Sequence, residues 1–97
     1  MILARVIGNV WSTRKEDSLR GLKFLVVQPL TITYNQDGKC CLTEYGNALI
    51  AADRIGAGES EIVMITSGSS ARQSLENTHV PVDAIVVGII DKETFDG

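Results

Sequence analysis

The sequence predicts a small all-β domain: a closed barrel of five or six strands with one short helix. Three observations carry that expectation. Gly, Thr, Val and Ile outweigh the best helix formers through the central segments, and such residues suit a pleated, half-buried surface. Short apolar runs recur at fairly even spacing between turn signals, the pattern of a small barrel, whose closure also removes exposed edges. The run AIVVGII, Ala84 to Ile90, is continuously apolar instead of alternating, so both faces of that strand need cover.

From the N-terminus, Met1 to Trp11 alternates loosely, with Ile2, Ala4 and Val6 on one parity and Leu3, Ile7 and Trp11 on the other. It reads as a strand, with a bend or bulge at Gly8. Ser12 to Gly21 is charged, closes on glycine and reads as a loop. Leu22 to Leu30 reads as a second strand that Pro29 ends or places at an edge, because proline cannot donate to a ladder. Thr31 to Ile50 holds TITY and CCLTEY around NQDGK, and Asp37-Gly38 is a hairpin turn signal. Ala51 to Ile55 leads into GAG, and Glu61 to Thr66 is a further strand. Ser69 to Glu76 suits one or two helical turns capped by Ser69 or Ser70. Val82 to Asp91 is the last strand and the most hydrophobic segment; it runs through a closed barrel against the short helix or lies at a subunit contact.

The 97 residues make one domain, residues 1–97, with 44% apolar content. Area scaling has roughly 64% of the surface buried, enough for a thin core. Nine basic residues stand against twelve acidic ones, for a net charge of -3, with no dense Lys/Arg cluster. Nucleic acid is therefore not an expected partner, since phosphate affinity comes mainly from clustered cations. No charged start followed by an apolar run marks a leader, and no run approaches the roughly 20 residues that span a bilayer. The chain reads as cytosolic, with no membrane partner.

Few residues carry chemistry. Cys40 and Cys41 are neighbours and unsuited to a mutual disulfide; with His79 as the single histidine, a Cys/His metal site lacks ligands. GAGESE, Gly56 to Glu61, begins like a dinucleotide fingerprint, but Glu61 stands at the third glycine and a strand follows, so its glycines read as serving a tight turn. Ser69 and Ser70 have no base but His79 in a polar loop. Asp53, Asp83 and Asp91 each border an apolar segment, where aspartate ends strands or caps turns. No catalytic, metal or cofactor-binding set is expected.

Taken together, ARVIGNVWSTRKEDSLRGLKFLVV, AADRIGAGESEIVMITSGSSAR and PVDAIVVGIID resemble, in order and spacing, the CcmL/EutN family of bacterial microcompartment vertex proteins. The resemblance covers nearly all of Met1 to Asp91. It implies an OB-like barrel and a non-enzymatic shell subunit, a homopentamer that closes fivefold vertices beside hexameric shell proteins, in the cytoplasm. By position it also places Gly56, Ala57, Gly58, Gly68, Ser69, Ser70, Ala71 and Arg72 at the subunit contacts and narrow central channel. Ser60 departs from the glycine that many members have, and Ile32 to Asn47 carries no family signature.

A ring is head-to-tail, so each subunit needs two different complementary patches. That would give AIVVGII, or the apolar residues of Met1 to Trp11, something to bury against. The alternative expectation is an OB-type barrel that binds nucleic acid or another ligand as a monomer or dimer, which the acidity and the sparse aromatic residues disfavour. A small hydrolase using Ser69 or Ser70 is a third.

Overall fold

The loose alternation of the N-terminal segment becomes strand β1, Ile2–Val10, in a computed structural model that describes residues 1–10, 22–67 and 83–91. Ala4 and Val6 point inward and are fully buried. The break expected at Gly8 is a β-bulge: Val6 pairs with Val27 and Gly8 with Val26, leaving Ile7 as the extra residue. A bulge bends its strand and increases its twist, which lets β1 pair with β2 on one side and β5 on the other.

The remaining strands are β2 (Lys23–Tyr34), β3 (Cys40–Glu44), β4 (Leu49–Asp53), β5 (Ile62–Ser67) and β6 (Ala84–Ile90). Around the barrel the order is β1-β5-β6-β4-β2, closed by the β1–β2 pairing, with β3 added to β2 outside the ring of five. Every pairing is antiparallel except β4 with β6. This is the small closed β-barrel expected. The loop at Ser12 to Gly21 and the helix at Ser69 to Glu76 lie outside the described residues.

Of the two outcomes expected for Pro29, a strand end or an edge position, the first does not occur, since β2 runs unbroken through it to Tyr34, and the second does locally. On one side β2 pairs with β4 only as far as Val27, and with β3 only from Leu30. Pro29 falls in the gap between these two partners. Its carbonyl faces that gap and accepts a hydrogen bond from the Tyr45 amide, and a residue's N–H shares its carbonyl's direction in a strand. The missing donor therefore costs no ladder bond.

The same gap is sealed by Gln28, whose Nε2 donates to Tyr45 O at 2.9 Å and lies 3.3 Å from both Pro29 O and Gly46 O. Beyond the gap the expected hairpin forms. Asn35 Oδ1 accepts from the Asp37 and Lys39 amides, and Gly38 takes φ +77°, the left-handed residue that three-residue hairpin loops need.

The core fills the barrel with Val6, Leu25, Val27, Val63, Ile65 and Val86 among its larger residues. β6 is covered on both faces only over its first half, contrary to the expectation for the whole run: Ala84, Ile85 and Val86 are buried, whereas Ile89 is exposed and its neighbours are half-buried. Ala84 and Val86 turn into the barrel, while Ile85, on the opposite parity, packs outside it with Leu22 and Ala52. A second bulge at Val87, where Met64 pairs with Gly88 but Ile65 with Val86, bends β6 around the barrel.

Replacing Gln28 with glutamate turns a donor of hydrogen bonds into a carboxylate facing three carbonyl oxygens. Gln28→Glu is expected to lower unfolding free energy by about 1–2 kcal/mol, read as a fall in the denaturant midpoint with an unchanged slope.

Candidate assembly interface

The segment singled out by sequence, Asp53 to Glu61, is a loop built on one buried carboxylate. Asp53 ends β4 and is 2% exposed. Its Oδ1 accepts from the Ile55 amide at 2.8 Å, and its Oδ2 from the Gly56 and Ala57 amides at 3.1 and 2.8 Å. Three successive amides converging on one point form the kind of nest that binds phosphate elsewhere. Here the protein's own carboxylate fills it, a second physical reason why GAGESE is no dinucleotide site.

Gly56 has φ +99° with open space where a Cβ would stand, so it is glycine for its backbone angle. Gly58 takes no such angle, and a Cβ there would meet Glu61 Oε1 at 3.4 Å, an ordinary contact. Its amide donates to that same oxygen at 2.7 Å, closing the turn. Ala57 lies fully buried in the barrel core and so anchors the loop, while its carbonyl faces Lys23 Nζ at 3.4 Å. Ser60, the departure from the family's glycine, adopts φ +68° and donates its amide to Val6 O at 2.8 Å. The turn keeps the backbone angle that glycine would take without strain. Gly68, Ser69, Ser70, Ala71 and Arg72 lie outside the described residues.

Two apolar surfaces that the sequence reading did not single out as units lie along the outward face of β2. The first is on the barrel wall: paired side chains share a face, so Gly8, Val26 and Ile50 form one row, with the bulged Ile7 next to Gly8, and Val10, Phe24 and Ala52 the next. Ile7 and Ile50 are each 50% exposed. The second is on the hairpin, where Ile32 pairs with Leu42 and Tyr34 with Cys40, with Ile32 45% and Tyr34 72% exposed. The hairpin's opposite face is polar, and Thr33 and Thr43 share a hydrogen bond between their hydroxyls at 3.0 Å.

A polar belt separates the two surfaces. Gln28 lies on the same parity of β2 and pairs with Arg5, and Arg5 reaches Glu44 at the hairpin base with 3.0 Å between nitrogen and oxygen. The signal for the second surface was present in the alternation of TITY, whose Ile32 and Tyr34 share a parity with Phe24 and Val26. It was read as a hairpin arm and not as a face. Among the described residues no three of His, Cys, Asp and Glu are grouped to hold a metal ion.

Residues 1–91 match the family described as ethanolamine utilisation protein EutN/carboxysome. The chain is 47% identical over 96 residues to the carboxysome shell vertex protein CcmL of Thermosynechococcus vestitus, covering 99% of this chain and 89% of that one. It is 46% identical over 91 residues to the bacterial microcompartment shell vertex protein GrpN of Rhodospirillum rubrum, covering 94% and 93%. The solved structure of GrpN, a pentameric microcompartment shell protein, superposes with a TM-score of 0.72 at 43% identity over 94% of each chain.

Asp53→Asn keeps the shape but removes the charge and turns an amide group toward N–H donors. It is expected to cost about 2–4 kcal/mol, whereas Ser60→Gly, which relieves a left-handed residue, should be neutral or stabilising by up to about 1 kcal/mol. Chemical denaturation of the two variants beside the parent checks both signs.

Proposed function

The chain belongs to the EutN/CcmL family, and from that premise we propose that five copies form a head-to-tail ring closing the fivefold vertices of a bacterial microcompartment shell in the cytoplasm. One observation of geometry carries the reading: the barrel presents two different apolar surfaces on either side of a polar belt. A ring of identical subunits needs two unlike patches on each, because every contact joins the front of one copy to the back of the next.

The work of such a subunit is structural, without catalysis. The whole chain acts as one vertex domain, and its outer rim meets the hexameric shell proteins that tile the facets. Gly56 and Gly58 contribute backbone at a contact between chains, as does the segment Gly68 to Arg72. Support for the first part comes from the loop's build: the Asp53 hydrogen bonds fix its backbone while Ile55, Gly56 and Ser60 stay exposed. A loop ordered from within presents its surface to a partner with little further entropy to lose.

Native mass spectrometry over a dilution series tests the reading. The expected species has five times the 10.5 kDa of the chain; a monomer or dimer at every concentration contradicts it. For the segment outside the described residues, Arg72→Ala combined with Ser70→Ala is expected to move dissociation of the pentamer to at least tenfold higher protein concentration. An unchanged midpoint removes Gly68 to Arg72 from the contact.

A further inference from the structure

We propose that the apolar face of the β2–β3 hairpin is an arm that lies on the barrel wall of the adjacent copy of this chain, covering its Ile7, Val10 and Ile50. The inference rests on the pentamer reading and adds which surfaces meet.

Among the described residues the hairpin is tied down only at its base. Tyr45 N bonds Pro29 O, Gln28 bonds the Tyr45 carbonyl, and Arg5 pairs with Glu44. Beyond that base, Thr31 to Tyr34 have β3 as their one ladder partner among the described residues. An isolated two-stranded hairpin is marginal in water and gains stability by packing its apolar side against something. Its turn is nonetheless well specified, through the Asn35 side chain and Gly38. The chain thus orders the arm at both ends while, among the described residues, Ile32 and Tyr34 stay exposed and Leu42 half-buried on its apolar side.

The occupant follows from the second surface. In a head-to-tail ring the patch that meets the arm belongs to the next copy and differs from the arm itself. The wall at Ile7 and Val10 of β1 and Ile50 of β4 flanks the outward side of β2, and it is apolar like the arm. Val26 and Ile32 are six residues apart on one strand, roughly 20 Å, so one chain cannot fold its own arm back onto its own wall without breaking β2. Two copies satisfy each other where one cannot.

The cysteines provide a built-in probe. Cys40 pairs with Tyr34 on the apolar face, Cys41 with Thr33 on the polar one, and both are half-buried in the single chain. In the assembled protein, alkylation of Cys40 in a Cys41→Ser variant is expected to be at least tenfold slower than alkylation of Cys41 in a Cys40→Ser variant. Ile32→Thr with Tyr34→Thr, which keeps strand propensity, should shift pentamer dissociation to at least tenfold higher concentration and abolish the difference in thiol rates. Thr33→Ser, on the other face, should leave both unchanged.

An intact pentamer whose two thiols react at equal rates overturns the arm while leaving the pentamer standing, and this readout holds even where the double variant fails to fold. Protection of Cys40 that appears only on adding a hexameric shell protein overturns the choice of occupant. A parent that is monomeric throughout overturns the arm and the pentamer together.

Discussion

Closing a sheet of five strands is the constraint on which the rest of this structure depends. β1 must hold hydrogen bonds to β2 and β5 at once, and β6 must bend between β5 and β4. Strands in so small a barrel cannot stay straight, and each of these two carries one extra residue, Ile7 in β1 and Val87 in β6. The bulges change which side chains face in. Past the first, Val10 pairs with Phe24 where an unbulged strand would have set Asn9, so the wall keeps an aliphatic residue there.

The barrel mouth near the end of β4 poses the next problem, since a loop crossing a closed core carries backbone amides that must find partners. Asp53 answers three of them with one carboxylate, and Ala57 then fills the interior. The arrangement is economical in chain length, nine residues from Asp53 to Glu61 joining β4 to β5. It also fixes the chemistry: an amide nest occupied from within has no capacity left for an external anion. The segment that most resembles a ligand motif in sequence is thereby the one most completely satisfied by its own side chain.

How much of this could be read from sequence varies by residue for physical reasons. The bulge at Gly8 and the turn at Asp37-Gly38 were legible because glycine marks backbone conformations directly. The two-sided cover of AIVVGII was legible only for Ala84 to Val86, because an apolar run does not say where along the strand the covering elements stop, and Ile89 stays exposed. Pro29 left a strand end and an edge position open, because its effect depends on which strand lies beside it, and here the partner changes from β4 to β3 at that residue. Asp53 was visible as a residue bordering a strand, but its three amides are a matter of loop geometry that no local pattern encodes. Ala57 shares its motif with Gly56 and Gly58 yet points into the core, and only the fold separates them.

The same closure explains why a barrel of this size is suited to assembly. Its narrow interior is filled by Leu25 with mostly small and β-branched residues, and further aliphatic side chains of β1, β2 and β4 are left on the outside in part. Covering the exposed half of an isoleucine is worth roughly 1 kcal/mol, and a contact with a few such residues barely offsets the several kcal/mol that association costs. One such contact between two copies is weak. In a closed ring, however, each subunit makes two, and the last contact forms within an assembly already held together, at high effective concentration. Modest surfaces that fail to hold a dimer can therefore hold a ring, provided the two are unlike and set apart along one rigid strand, as they are along β2.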